Sequence, residues 1–310
     1  MLGVTGIVAI AGTGPVLRAL TPMINETVST ATDSTFEIGR IEGSLWTGLT
    51  LDRLLMDRAG DGFHLELGSA DFDWSPLALL GGTLKVNHLG LQSAKVVLPN
   101  TTGPEEVEEE TSDSESGFSL PLAVAIDAVA LREIALIDPL SGKEFLYGLN
   151  AKAAVGTNLS ATAKIDLHPL DDGSDRFDVD LDFDGPDQRL AAKIDGALGR
   201  EGLVMTLAGV APDVATDIDI KLAGNGPAND WRGTLDVGAD GYGALSADIG
   251  VQLSSDILAF TLDGGLETFD RISDQLPEQL RKKIDLGIGG AFDADHQRLS
   301  FDRVSVAMAD

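Results

Sequence analysis

The chain has 310 residues, 50 of them acidic against 22 basic, for a net charge of −28, so a phosphate backbone would be repelled and nucleic acid is excluded as a partner. Apolar residues at 43% suffice for a core and exclude a disordered chain. Thirty-six glycines and 5% aromatics point to many turns, and the absence of cysteine removes disulfides, thiolate chemistry and sulfur-ligated metal.

Residues 1–17 carry no charged side chain, and Arg18 ends the run. At slightly under the roughly 20 residues of a bilayer helix it reads as a membrane anchor over 1–20, weighed against an apolar segment packed on a sheet. Thr21-Pro22 opens a short helix through about Ala31. From Phe36 the pattern turns to strands broken by glycine: Leu49 to Met56, Phe63 to Leu67, Ala70 to Trp74, Leu84 to Leu91 and a strand through Leu98. Pro76 to Leu80 reads as one helical turn that Gly81 and Gly82 terminate. Between Pro99 and Gly117 lie seven acids and no base, the composition of a solvated loop over 99–118.

Strands resume at Leu120 to Ala130, Ile134 to Ile137, Phe145 to Val155 and Leu159 to Leu167. The clearest signal is Phe177 to Asp184. In an extended strand Phe177, Val179, Leu181 and Phe183 share one face, while Asp178, Asp180, Asp182 and Asp184 share the other. The same alternation places Ile218, Ile220 and Leu222 together, and Leu245, Ile249 and Val251 together. Further segments, including Leu203 to Ala208 and Val214 to Leu222, recur at strand spacing to the C-terminus. Glu267 to Ile284 instead has apolar residues near helical spacing, with Pro277 inside, which predicts short helices near 268–284.

The fold class is therefore mainly β: a long antiparallel, meandering sheet curled into an elongated hydrophobic groove, with an N-terminal anchor helix and short helices near 76–81 and 268–284. The domains read as an anchor at 1–20, a β module at 21–98, the acidic loop, and a continuing groove region at 119–310. With few helices to cover the dry faces, the sheet must close on itself or hold something apolar. The ten alternating residues of the previous paragraph, from Phe177 to Val251, are the candidate lining.

Chemistry is sparse. Asp180-x-Asp182-x-Asp184-Gly185 copies half of a calcium loop, but Ala191 stands where a bidentate Glu is needed. The four histidines, His64, His88, His168 and His296, form no zinc pair, and no nucleotide loop or nucleophile elbow is present. No catalytic, cofactor or metal residue is assigned. A β-solenoid enzyme acting on polysaccharide is the alternative, and two Tyr and three Trp are few for a sugar cleft. A calcium-dependent adhesin would need repeated ligand loops.

The run Gly39-Arg-Ile-Glu-Gly43-Ser-Leu-Trp46-Thr-Gly48-Leu, then Ala70-Asp-Phe-Asp-Trp74-Ser-Pro76-Leu-Ala-Leu-Leu80-Gly-Gly-Thr-Leu84 and Val86-Asn-His-Leu-Gly-Leu91, resembles the N-terminal region of the TamB family. A second stretch, Leu222-Ala-Gly-Asn-Gly226-Pro227-Ala-Asn-Asp230-Trp231-Arg-Gly233-Thr-Leu235, is similar to a Gly-x-Gly-Pro-x-x-Asp-Trp-x-Gly-x-Leu element of the same AsmA-like group. The resemblance implies a non-enzymatic bacterial inner-membrane protein, single-pass through residues 1–18, with its bulk in the periplasm. It also implies a role in outer-membrane protein translocation and assembly, in phospholipid transport between the two membranes, or in both, with phospholipid or other apolar cargo. Against the full family pattern the chain reads as an N-terminal portion or a truncated product, without the C-terminal domain that meets an outer-membrane barrel partner.

Overall fold

The computed structural model describes residues 34–99, 122–171, 175–254, 257–268, 284–293 and 298–308, apart from 45, 47, 59, 61 and 212, together with Thr21, Pro22, Asn25, Glu26 and Ser29. The expected anchor over 1–20, the acidic loop and most of the helical segment at 268–284 lie outside the described residues. Among the described residues no helix is long and apolar enough to cross a membrane. The protein is mainly β and divides into two compact units, residues 1–157 with 169–172, and residues 158–168 with 173–310.

The first unit contains β1 (Thr35–Ser44), β2 (Gly48–Arg58), β3 (Phe63–Ser75), β4 (Thr83–Leu91), β5 (Ala94–Val97), β6 (Ala123–Ile137) and β7 (Glu144–Val155). Antiparallel hairpins link β1 to β2, β2 to β3 and β6 to β7. The long antiparallel meander expected from the sequence has a local exception here, because β4 and β5 both pair with β6 in parallel. The connection across residues 98–122 is long enough to return the chain to the starting end, which a parallel pair requires. Helical residues Asn25 and Ser29 serve the outer edge of β1. The Ile38 N–H donates to Asn25 Oδ1 at 3.1 Å and the Phe36 N–H to Ser29 Oγ at 2.9 Å, so edge donors that would otherwise invite another strand are satisfied.

Two rows of irregular pairing cross this sheet, with register shifts where β3 meets β4 and β6 meets β7. Pairing passes from Ile38↔Leu54 to Arg40↔Asp52 and from Asp52↔Ser69 to Leu54↔Leu67, skipping Gly39, Arg53 and Gly68. Arg53 takes φ 66°, in the left-handed region. The row continues between β4 and β5 at Gln92 and Ser93, and in β6 at Arg132 and Glu133, which together face one residue of β7. A second row passes through Asn87 and through Asp127 and Ala128. Each extra residue turns the alternation over, so apolar spacing becomes three instead of two, and Ile126, Val129, Leu131 and Ile134 stay on one face. The two strands expected at Phe63 to Leu67 and Ala70 to Trp74 are therefore one, β3, and those at Leu120 to Ala130 and Ile134 to Ile137 are likewise one, β6. Pro76–Gly81 forms a 3-10 turn as expected, closed by Gly82 at φ 75°, whose N–H donates to the Leu79 carbonyl. Phe145 and Tyr147, 4% and 3% exposed, anchor the core of this unit.

The second unit is a meander of β8 (Ala161–Pro169), β9 (Arg176–Asp184), β10 (Arg189–Leu198), β11 (Ile218–Pro227), β12 (Asp230–Ala239), β13 (Gly243–Ser254), β14 (Ile257–Thr268), β15 (Ile284–Asp293) and β16 (Arg298–Met308). Every pairing from β8 to β16 is antiparallel between neighbours in sequence. Three local expectations are corrected. Leu203–Leu207 is a short helix where a strand is expected, because buried Asp175, 2% exposed, accepts the Val204 N–H at 3.2 Å and the Gly199 N–H at 2.7 Å and so satisfies the turn from a distance. Val214 lies in the turn before β11. Glu267 and Ile284, expected at the ends of a helical segment, sit in β14 and β15, with Leu266 and Ile284 paired across the two strands.

Candidate functional site

The strands of the second unit line up so that one whole face is apolar. Ile165 pairs with Val179, Val179 with Ile194, Ile194 with Leu222 and Leu222 with Leu235. The row continues through Ala247, Gly264 and Leu286 to Val306 without a polar side chain. A parallel row runs from Ala163 through Leu181, Ala192, Gly224, Gly233, Ile249, Leu262 and Ile288 to Val304. At about 4.8 Å per strand, each nine-strand row is roughly 40 Å long.

All ten residues singled out from the sequence stand on this face: Phe177, Val179, Leu181 and Phe183 on β9, Ile218, Ile220 and Leu222 on β11, and Leu245, Ile249 and Val251 on β13. Sequence reasoning left out their neighbours on β10, β12, β14, β15 and β16, such as Ile194, Leu235, Leu262, Leu286 and Val304. Their own alternation carries the signal, but glycines on the same face interrupt it.

Those glycines have a packing role. Gly224 and Gly233 pair directly, and Trp231 lies over both: a Cβ on Gly224 would sit 2.2 Å from the ring, and one on Gly233 would sit 2.6 Å from it. Trp231 is only 7% exposed as a result, with its indole N–H buried. Phe177 covers Gly196, and Phe260 covers Gly290, each across a direct strand pair. Rings that lie over glycine keep the face continuous, and the aromatic cover restores contact that a bare glycine would forfeit. This accounts for the placing of Gly224, Trp231 and Gly233 in that stretch.

The opposite face is wet and acidic. Asp180 is flanked by Lys164, with which it forms an ion pair, and by Lys193. Asp166, Asp178 and Asp195 face one another across three strands. Asp180, Asp182 and Asp184, the half calcium loop of the sequence, lie along this exposed strand face. His64, His88 and His168 each pair with a separate aspartate, Asp57, Asp71 and Asp166, and are not brought together. At the turn before β11 the Arg200 guanidinium and backbone N–H both bind Asp217, at 3.0 and 2.9 Å, and the guanidinium hydrogen bond holds that carboxyl below its usual range.

Among the described residues the second unit has one helix, the five-residue Leu203–Leu207, too short to cover nine strands. Most apolar side chains of the face are accordingly half-buried instead of buried, and on β16 Phe301, Val304 and Val306 are 59%, 68% and 62% exposed. Such a surface can hold apolar matter by contact alone.

Residues 4–138 match the family model described as TamB, N-terminal domain. That stretch is similar to a TamB N-terminal region. The TamB match covers β1 to β6 and ends at Asp138, which caps the β6–β7 turn by accepting the Leu140 and Ser141 N–H groups at 3.2 and 3.0 Å. The Gly-Trp slot of β11 and β12 lies beyond the TamB match. No curated protein and no solved structure matches the chain.

Proposed function

We propose that this chain is part of a TamB-like, non-enzymatic periplasmic bridge, and that the apolar face of its second unit is the lining of a groove along which phospholipid acyl chains move between the inner and outer membranes. The observation that carries the reading is the one-sided face: nine strands of unbroken apolar rows backed by a charged, solvated surface. Exposing a methylene to water costs about 0.8 kcal/mol, so two acyl chains with some thirty methylenes face a barrier near 24 kcal/mol in water. Continuous apolar contact removes most of it. The TamB match supports an inner-membrane location with the bulk of the chain in the periplasm, held through residues 1–18. A reporter fused after Asp310 would then be active only if it matures outside the cytoplasm.

The test is a photo-crosslinking residue placed at Leu181 and, separately, at Asp182. Captured phospholipid at 181 and none at 182 supports the groove; equal capture at both sinks it. A second reading, a scaffold for unfolded outer-membrane strands, is favoured by β16, whose exposed apolar side chains could receive another strand. In that case crosslinks would form to protein, and would concentrate on β16.

A further inference from the structure

Two turns of the first unit leave the sheet side by side. Leu49 of β2 pairs with Phe72 of β3, and a Cβ on Gly48 would lie 3.0 Å from the Phe72 carbonyl oxygen. The β1–β2 turn carrying Trp46 and the 3-10 turn Pro76–Gly81 therefore stand at the same end of neighbouring strands. Trp46 is 47% exposed, Leu77 78% and Leu80 88%. From Gly43 to Leu51 and from Trp74 to Leu84 there is no charged side chain, in a chain carrying 50 acidic residues. The opposite end is ordinary by comparison: β2 ends there on Arg58, and the β6–β7 turn holds Asp138 and Lys143 beside exposed Leu140.

Leucines displayed on a preformed turn, an indole next to them and an absence of charge are the chemistry of a loop that enters a bilayer interface. The leucines reach the acyl region while the indole sits at headgroup depth. Pro76 opens the turn and Gly82 closes it in the left-handed region, so its shape is set before any lipid is met. The acidic surface elsewhere discourages adsorption by other faces. We propose that this end of the first unit docks on a lipid bilayer through Leu77, Leu80 and Trp46, an engagement independent of the apolar face in the second unit.

The chain has no cysteine, so Leu80→Cys in the full chain carries a single environment-sensitive fluorophore, with Leu140→Cys as the control at the other end. With phosphatidylcholine vesicles the probe at 80 should brighten and be quenched by doxyl-labelled phosphatidylcholine, whereas the probe at 140 should do neither. Adding Leu77→Glu should weaken the quenching interaction about tenfold, and adding Trp46→Glu should weaken it further. Both positions are exposed, so the variants should keep the parent circular dichroism and melting temperature. Because the readout is local, attachment of the chain to vesicles through another segment does not produce it. An unquenched probe at 80, equal quenching at 80 and 140, or indifference to Leu77→Glu would overturn the proposal. None of those results bears on crosslinking at Leu181.

Discussion

Placing one methyl group on Gly224 should unseat Trp231. The Cβ of Gly224→Ala would lie 2.2 Å from the indole and 2.5 Å from the Arg232 carbonyl oxygen, distances no packed side chain tolerates, so the ring must leave its slot. An indole buries about 200 Å². At about 25 cal/mol per Å² its full expulsion would cost about 5 kcal/mol, and a ring that still rests on the sheet loses about half of that. For a unit of this size that corresponds to a fall in melting temperature on the order of 5–10 °C. The sign makes the test sharp. Without the slot, replacing a strand glycine by alanine should stabilise by about 0.5 kcal/mol. Thermal unfolding followed by circular dichroism, with the tryptophan emission recorded in parallel, gives both readouts. A melting temperature unchanged or raised, with no red shift, would refute the packing argument.

Four further outcomes are expected. Leu181→Arg should abolish lipid capture at neighbouring lining positions while circular dichroism stays near that of the parent, since the face is open to water along one side. Asp178→Lys, which breaks the row of three facing carboxylates, should stabilise the second unit by about 0.5 kcal/mol at low salt, an effect that fades in concentrated salt; a destabilisation would mean the row is held by something else. Arg53→Gly should raise stability by about 0.5–1 kcal/mol and Arg53→Val should lower it, because only glycine takes φ 66° without strain; chemical denaturation of both variants checks the pair. Asp217 is held low by Arg200, so its contribution is full above the ordinary carboxylate value near about 4 and is lost as pH falls through the lowered one. The melting deficit of Asp217→Asn should accordingly be present at neutral pH and vanish in acid; a deficit that persists in acid would mean the ion pair is not its cause.

The second unit was largely legible because its strands keep a strict period of two. Phe177 to Asp184 alternates in exposure residue by residue, as its sequence alternates in polarity. Glycine hid part of the face: at Gly224 and Gly233 the lining is supplied by a ring from Trp231, and alternation alone does not say that a side chain will lie down over its neighbours. In the first unit the irregular pairings concealed continuity. A spacing of three at Ile126–Val129 and Leu131–Ile134 looks like a strand ending and another beginning, although one strand, β6, runs through both. The helix at Leu203–Leu207 was missed for a different reason. Five apolar and small residues carry no period, and the group that satisfies their first turn, Asp175, lies far back in the chain. The parallel pairing of β4 with β6 depends on a long connection, whose path no local pattern records.

The rows of irregular pairing also determine which changes of chain length the first unit can survive. Because the extra residues at Gly39, Arg53 and Gly68 sit level with one another, the partners keep the same register on both sides of the row. Losing Arg53 alone would not merely shorten β2. It would slide the rest of that strand by one position and turn Leu49 and Leu51 towards water while Leu54 and Met56 stayed in place. Strand lengths here can thus drift only in concert, several strands at a time, whereas turns at either end are free to vary singly. Among related chains, insertions and deletions should be found in the turns, and where they fall within strands they should come as matched sets across neighbours.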